Sequence, residues 1–252
     1  MLLLSQFLLR LVFGMAAAMA AVSSRQVTSG YFRNNLYVLL GINVLAALVG
    51  IGAPADSPLR FEPALLGAMA SYGTAVCWLY ERPRAGLFGL FLVAVAALLG
   101  AFMESPRLAM GTDRNLLDWL APPAGGLVLG TTMAAMLLGH WYLNSPGMQI
   151  APLERLIKFM AVAITVQAVL AGVGLAMNLS DGVTFSAGQW TLLGLRWIAG
   201  LAGSGLMAAM AWRTLKIPNT QSATGILYVA VMFTFLGELA AELLSAESRF
   251  PL

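Results

Sequence analysis

The chain has 252 residues, 60% of them hydrophobic and only 10% charged. Soluble domains carry about 45–50% apolar and about 25% charged residues, so a single water-facing core cannot absorb this much apolar surface, and lipid is the natural solvent. The net charge of +3 comes from basic residues spread in pairs rather than gathered in a patch, which argues against a nucleic-acid surface. The lone cysteine, Cys77, excludes an internal disulfide and a cysteine-based zinc motif, and His140 is the only histidine.

A membrane-crossing helix takes about 20 predominantly apolar residues. Eight stretches qualify, at 3–22, 36–53, 63–80, 86–103, 124–143, 153–177, 189–212 and 222–245. The first has no basic leader and holds Arg10 inside its apolar run, so it reads as a retained membrane helix rather than a cleaved signal. Turn-forming residues separate the stretches: Pro54, Asp56 and Pro58; Arg82, Pro83 and Arg84; Pro122 and Pro123; Ser145, Pro146 and Gly147; Asn178 to Gly182; Pro218 and Asn219. In the longest connection, 104–123, Thr112 or Asp113 is a candidate cap for a short helix carrying Leu116, Leu117, Trp119 and Leu120. Such a helix would lie at the interface or pack as a lid on the bundle. The expected fold is an all-α, polytopic bundle of about eight transmembrane helices in one domain, 1–252.

Two short echoes point to an internal repeat. Leu11-Val12-Phe13-Gly14 resembles Leu127-Val128-Leu129-Gly130, and Trp78 with Arg82 matches Trp212 with Lys216 in spacing. A parallel four-plus-four duplication, with halves 1–104 and 124–252, would produce both, as would chance among Ala- and Leu-rich helices.

Charge alternates along the connections. Arg25 and Arg33, Arg82 and Arg84, Arg155 and Lys158, and Arg213 and Lys216 belong to the odd ones. The even connections and the tail hold only Arg60, Arg107, Arg114 and Arg249. The positive-inside rule then puts the odd connections in the cytoplasm and both termini outside, in a bacterial-type inner membrane. That pattern needs an even number of crossings.

Four charges fall inside the apolar stretches: Arg10, Arg196, Glu238 and Glu242. Each alone would cost about 2.5–3.5 kcal/mol at a helix centre, so pairing is expected. All four lie in the outer half of their helices. Glu238 and Glu242 share a face, Arg10 and Arg196 lie on stripes of glycine and alanine, and Gln167 sits on a similar stripe. Such a group is either a structural ion-pair network or a proton relay or anion-coordinating site.

A second cluster belongs to the opposite side: His140, Tyr142 and Asn144, then Gln221 and Ser222, then Tyr31. Imidazole, phenol and amides around an apolar cleft suit a quinone head group, although Trp and Tyr also belong to the interfacial belt and Asn219 or Thr220 is an ordinary cap. Met136, four residues before His140, makes a haem or metal at His140 a weaker candidate. No nucleotide-binding or metalloprotease motif occurs.

Three function classes remain. The first is a membrane subunit of a larger complex, respiratory or photosynthetic, with a structural or quinone-adjacent role and other membrane subunits as partners. The second is a proton-coupled or small-molecule transporter using the Arg/Glu group. The third is a haem- or metal-binding membrane protein. The absence of extramembrane domains and the single histidine favour the first by a small margin, and a catalytic role is not expected.

Overall fold

The computed structural model describes residues 2–51, 61–105, 115–145, 147–217, 219–248 and 250–252. Eight long helices fill nearly all of it: α1 (Leu2–Ala20), α2 (Ser29–Ile51), α3 (Glu62–Leu79), α4 (Pro83–Met103), α5 (Leu116–Asn144), α6 (Ala151–Ser180), α7 (Ala187–Lys216) and α8 (Thr220–Glu247). No strand occurs among the described residues. The reason is solvation: lipid offers backbone N–H and C=O groups no partner, so each segment satisfies its own by helix formation. Seven of the helices are long and apolar enough to cross a membrane.

Helix α3 is shorter and more dilute in apolar residues, with Glu62, Pro63, Ser71 and Thr74 in its 18 residues. Chain parity nevertheless requires that it cross. Arg10, near the start of α1, bonds Glu242, near the end of α8, so the two ends of the bundle's chain lie at one face. Seven crossings would put them at opposite faces; eight put them together. At about 1.5 Å per residue, α3 is roughly 27 Å long, close to the hydrocarbon thickness. The protein is a multi-pass membrane helix bundle. Its face holding the start of α1 and the end of α8 is here the terminal face, and the opposite one the basic face.

Helix ends differ from the sequence expectation in three places. Helix α2 begins at Ser29, so Tyr31, Asn34 and Asn35 lie in its first turns rather than in a connection. Helix α5 begins at Leu116 and runs through Pro122 and Pro123, where a break was expected. The segment read as a separate interfacial helix or lid is therefore the first two turns of α5. Both prolines stand inside the helix, at its seventh and eighth residues from the N-terminus, so the bonds that N–H groups there would make to the Asp118 and Trp119 carbonyls are lost. The Asp118 carboxylate accepts the Asn115 N–H at 3.0 Å and caps this end. The expected cap residues Thr112 and Asp113 lie outside the described residues, as do Arg60, Arg107, Arg114 and Arg249 and the breaks at Pro54, Asp56, Pro58, Pro146 and Pro218. Third, α7 is not α-helical throughout: Leu195–Gly203 is π-helical.

Packing follows chain order. Helix α1 packs on α2 and α4, and α3 lies between α2 and α4; α5 packs on α6 and α8, and α7 lies between α6 and α8. The packing order of the first four helices thus recurs in the last four. The two groups meet chiefly where α1 crosses α5. There a side chain on Gly14 would overlap the Gly126 carbonyl, and one on Gly130 would overlap the backbone of Gly14 and Met15. Small residues at such a crossing let two helix backbones touch, which is how helices associate when lipid removes the hydrophobic drive between them. Gly14 and Gly130 are the matching glycines of the two sequence echoes. The Trp78 and Trp212 echo is not matched in its contacts: Trp78 stacks on Phe32 with ring centroids 4.0 Å apart, while Lys216 sits 4.2 Å over the Trp212 ring.

Candidate functional site

The four intramembrane charges form one group. Arg10 of α1 donates from Nη2 to Glu238 Oε2 at 2.6 Å and from Nη1 to Glu242 Oε1 at 2.7 Å. Arg196 of α7 donates from Nη1 to the other Glu238 oxygen, Oε1. Glu238 is therefore held between two arginines, and Glu242 by one. All four side chains are buried, Glu238 completely. From the terminal face Arg10 lies roughly 12 Å down α1, Glu238 roughly 13 Å and Glu242 roughly 7 Å down α8, at the helical rise of about 1.5 Å per residue. Equal numbers of positive and negative charges make the group neutral overall, which is the condition for keeping charge in a low-dielectric interior.

Close helix crossings bring the charges together. Gly200 of α7 meets Gly237 of α8 so closely that a side chain on either would overlap the other's Cα. One turn on, Ser204 Oγ and Thr234 Oγ1 share a hydrogen bond at 2.9 Å. Arg196 lies one turn before this contact, in the π-helical stretch. An i→i+5 ladder widens the helix and rotates the following side chains, and such stretches are rare and frequently lie at functional sites. On the other side, a side chain on Gly125 of α5 would overlap both Arg10 Nη2 and Glu238 Oε2, so this glycine makes the room the ion pair occupies.

Next to the group is a cavity of about 50 Å³ near the terminal face, among α1, α5, α6, α8 and the C-terminal tail. Arg10 and Glu242 form its floor, with Gln6, Asp118, Gln167 and Ser245 among its walls. One water needs roughly 10–15 Å³ of such space, so a small water cluster fits. Two acceptors on this cavity have no hydrogen-bond partner among the described residues, Gln167 Oε1 and Glu242 Oε2. The tail closes one side: a side chain on Gly174 would overlap the Pro251 carbonyl, Asn178 Nδ2 donates to the Phe250 carbonyl at 3.1 Å, and the Leu252 N–H donates to Ser245 Oγ at 3.1 Å.

Gln167, expected to join the charges, reaches the cavity rather than the ion pairs: it lines the wall beside Arg10 and Glu242 but makes no bond to either. Gly125, Asp118 and the tail were not singled out from sequence. Asp118 lies in a segment whose sequence reads as a separate helix, and Gly125 in a run of small residues that close packing explains. A signal for Gly125 does exist, since it stands one residue before the glycine matched to Arg10 by the repeat echo.

The inner polar residues do not converge. Tyr31 is fully buried and donates to the Ala134 carbonyl at 3.2 Å. Tyr142 donates to the Gln149 carbonyl and ties off the end of α5. His140 is exposed, with Tyr228 Oη 3.3 Å from its Nδ1. Asn144, Gln221 and Ser222 are exposed. The Ser222 N–H caps α8 by donating to Asn219 Oδ1 at 2.9 Å. The quinone pocket expected from these residues is therefore not assembled around a common cleft. Met136 is buried in the core while its neighbour His140 faces outward, and among the described residues no three His, Cys, Asp or Glu side chains gather as a metal site would require.

Compared with models of protein families, with curated proteins and with solved structures, the chain matches none. The structure thus defines the class, a multi-pass membrane helix bundle, and the site has to be read from its own geometry.

Proposed function

We propose that the chain is a membrane carrier that works through the Arg10–Glu238–Arg196–Glu242 group and couples its cycle to proton movement. One observation carries this reading. The buried charges sit beside a polar cavity near one face, with unpartnered acceptors on its wall. Ionisable and amide side chains that line a water-sized polar cavity beside a buried ion pair give a proton a route to that pair, which packing alone does not call for. The π-helical stretch under Arg196 supports the same reading, as does the general rule that ionisable residues inside membrane segments mark ion and proton pathways. In this reading the basic face, with Arg25, Arg33, Arg82, Arg84, Arg155, Lys158, Arg213 and Lys216, is cytoplasmic, and the cavity faces outward.

A membrane subunit of a larger complex is the second reading. It is favoured by the brevity of the connections: α3 and α4, for example, are joined by Tyr80, Glu81 and Arg82 alone. One preparation separates the two. The chain is extracted gently from native membranes, sized, analysed by mass spectrometry, and reconstituted into vesicles carrying a trapped pH dye. A lone particle whose vesicles dissipate an imposed pH gradient faster than empty vesicles supports the carrier. Stoichiometric partners, together with vesicles as tight as the empty ones, would overturn it in favour of the subunit.

A further inference from the structure

The ligand of the cavity follows from its atoms. The groups around Glu242 are Arg10 and Gln6 from α1, Asp118 from α5, Gln167 from α6, Glu238 and Ser245 from α8 and the tail residues Pro251 and Leu252, with Arg196 of α7 behind Glu238. Three atoms on residues that line the cavity have no partner among the described residues: the acceptors Gln167 Oε1 and Glu242 Oε2 and the donor Arg10 Nε. The two acceptors ask for a donor. A metal cation or an ammonium ion would have to sit against the Arg10 guanidinium, which is already 2.7 Å from the same carboxylate, and like charges this close repel strongly in a low-dielectric interior. A proton avoids that conflict, since it becomes part of the carboxyl group and adds no separate ion.

The geometry points to Glu242 as the residue that takes up a proton from water in this cavity, while Glu238 stays ionised as the fixed pin between two arginines. The step balances simply. A hydronium in the cavity gives its proton to Glu242 Oε2 and leaves as water; the carboxylate becomes a neutral carboxylic acid in a cavity that Gln167 also lines. Arg10 keeps Glu238 as its counter-ion. The group then holds two positive charges against one negative. The Arg10–Glu242 link loses its ionic part, while the Arg196–Glu238 link is unchanged. The difference between the two glutamates is topological: Glu238 has both oxygens occupied by arginine donors, and Glu242, which lines the cavity, has one oxygen occupied and one without a partner.

This inference names the working residue of the carrier reading and rests on it for its meaning, but it is tested without transport. Infrared difference spectra of the purified full chain are recorded while pH is stepped downward. The expected result is a protonated-carboxyl stretch that titrates in the wild type and is missing in Glu242→Gln. Gln167→Leu, which removes an unpartnered amide from the lining of the same cavity, should keep the band and move its frequency and midpoint. If Glu242→Gln does not fold, the Gln167→Leu comparison decides alone. A wild type with no such band, a band that survives in Glu242→Gln, or a Gln167→Leu spectrum identical to wild type overturns the assignment. A titrating Glu242 in vesicles that carry nothing would leave this inference standing and remove the carrier. Proton-linked flux with a silent Glu242 would do the reverse.

Discussion

Removing the charge of Glu238 tests whether the four ionisable residues act as one unit. In Glu238→Gln, Arg10 keeps Glu242 at 2.7 Å, but Arg196 loses the one carboxylate it bonds among the described residues and is left as a buried, uncompensated cation. Breaking a buried pair in this way costs about 3–5 kcal/mol. Arg196→Met leaves the complementary fault, two carboxylates sharing one arginine, with a cost on the order of the same size. The double variant removes one charge of each sign and leaves Arg10 with Glu242, a balanced pair. Replacing a whole ion pair by groups of similar volume is often nearly neutral, so the double variant should lose less than about 2 kcal/mol. The coupling energy expected from the cycle is therefore at least about 3 kcal/mol. Unfolding of the purified chain in mixed micelles by graded SDS gives all four stabilities. If the two single losses simply add within about 0.5 kcal/mol, the charges are independent and the reasoning from the shared Glu238 carboxylate fails.

Two further outcomes follow from the packing and the charge distribution. Gly125→Ala should destabilise by roughly 3 kcal/mol in the same SDS assay, because its methyl group displaces the buried ion pair, whereas Gly73→Ala and Gly225→Ala, which meet nothing within 4 Å, should be neutral or gain up to about 1 kcal/mol. Equal effects at all three positions would show that Gly125 is not a spacer for the charges. In a Cys77→Ala background, Ser180→Cys should react with a membrane-impermeant thiol reagent in spheroplasts and Gln149→Cys only after lysis; the opposite pattern would invert the orientation.

The helices and the pairing of the charges were legible because both rest on one-dimensional rules. Apolar length sets the spans, and residue count from a helix end sets depth, which alone places Arg10, Arg196, Glu238 and Glu242 in the same half. What was not legible depends on backbone detail that composition hides. The prolines at 122 and 123 mark a helix end on average, yet α5 runs through them with the loss of two backbone bonds. The π-helical stretch has no residue signature beyond its glycines. The polar residues His140, Gln221 and Tyr31 looked like a cluster because their depths agree; depth says nothing about rotation around a helix axis, and rotation sends His140 outward to Tyr228 while Tyr31 turns into the core.

Rotation and seam together explain why the charges lie where they do. The two four-helix groups have the same packing order, yet the charged residues are distributed unequally: Arg196, Glu238 and Glu242 all belong to the second group, and only Arg10 comes from the first. Arg10 lies one turn from Gly14, the residue at which α1 touches α5, so the glycine seam between the groups is also what delivers Arg10 to α8. Arg196 and Glu238 are joined by a crossing within one group, at Gly200 and Gly237, and would move as one body. Any relative displacement of the two groups along the seam therefore changes the two Arg10 bonds, together with the Tyr31–Ala134 and Trp141–Thr28 bonds, and leaves the Arg196–Glu238 bond intact. Neutralising Glu242 weakens one of the two Arg10 bonds. The residue best placed to receive a proton is thus also the one whose protonation loosens the contact between the halves, which is the physical coupling a proton-driven carrier requires.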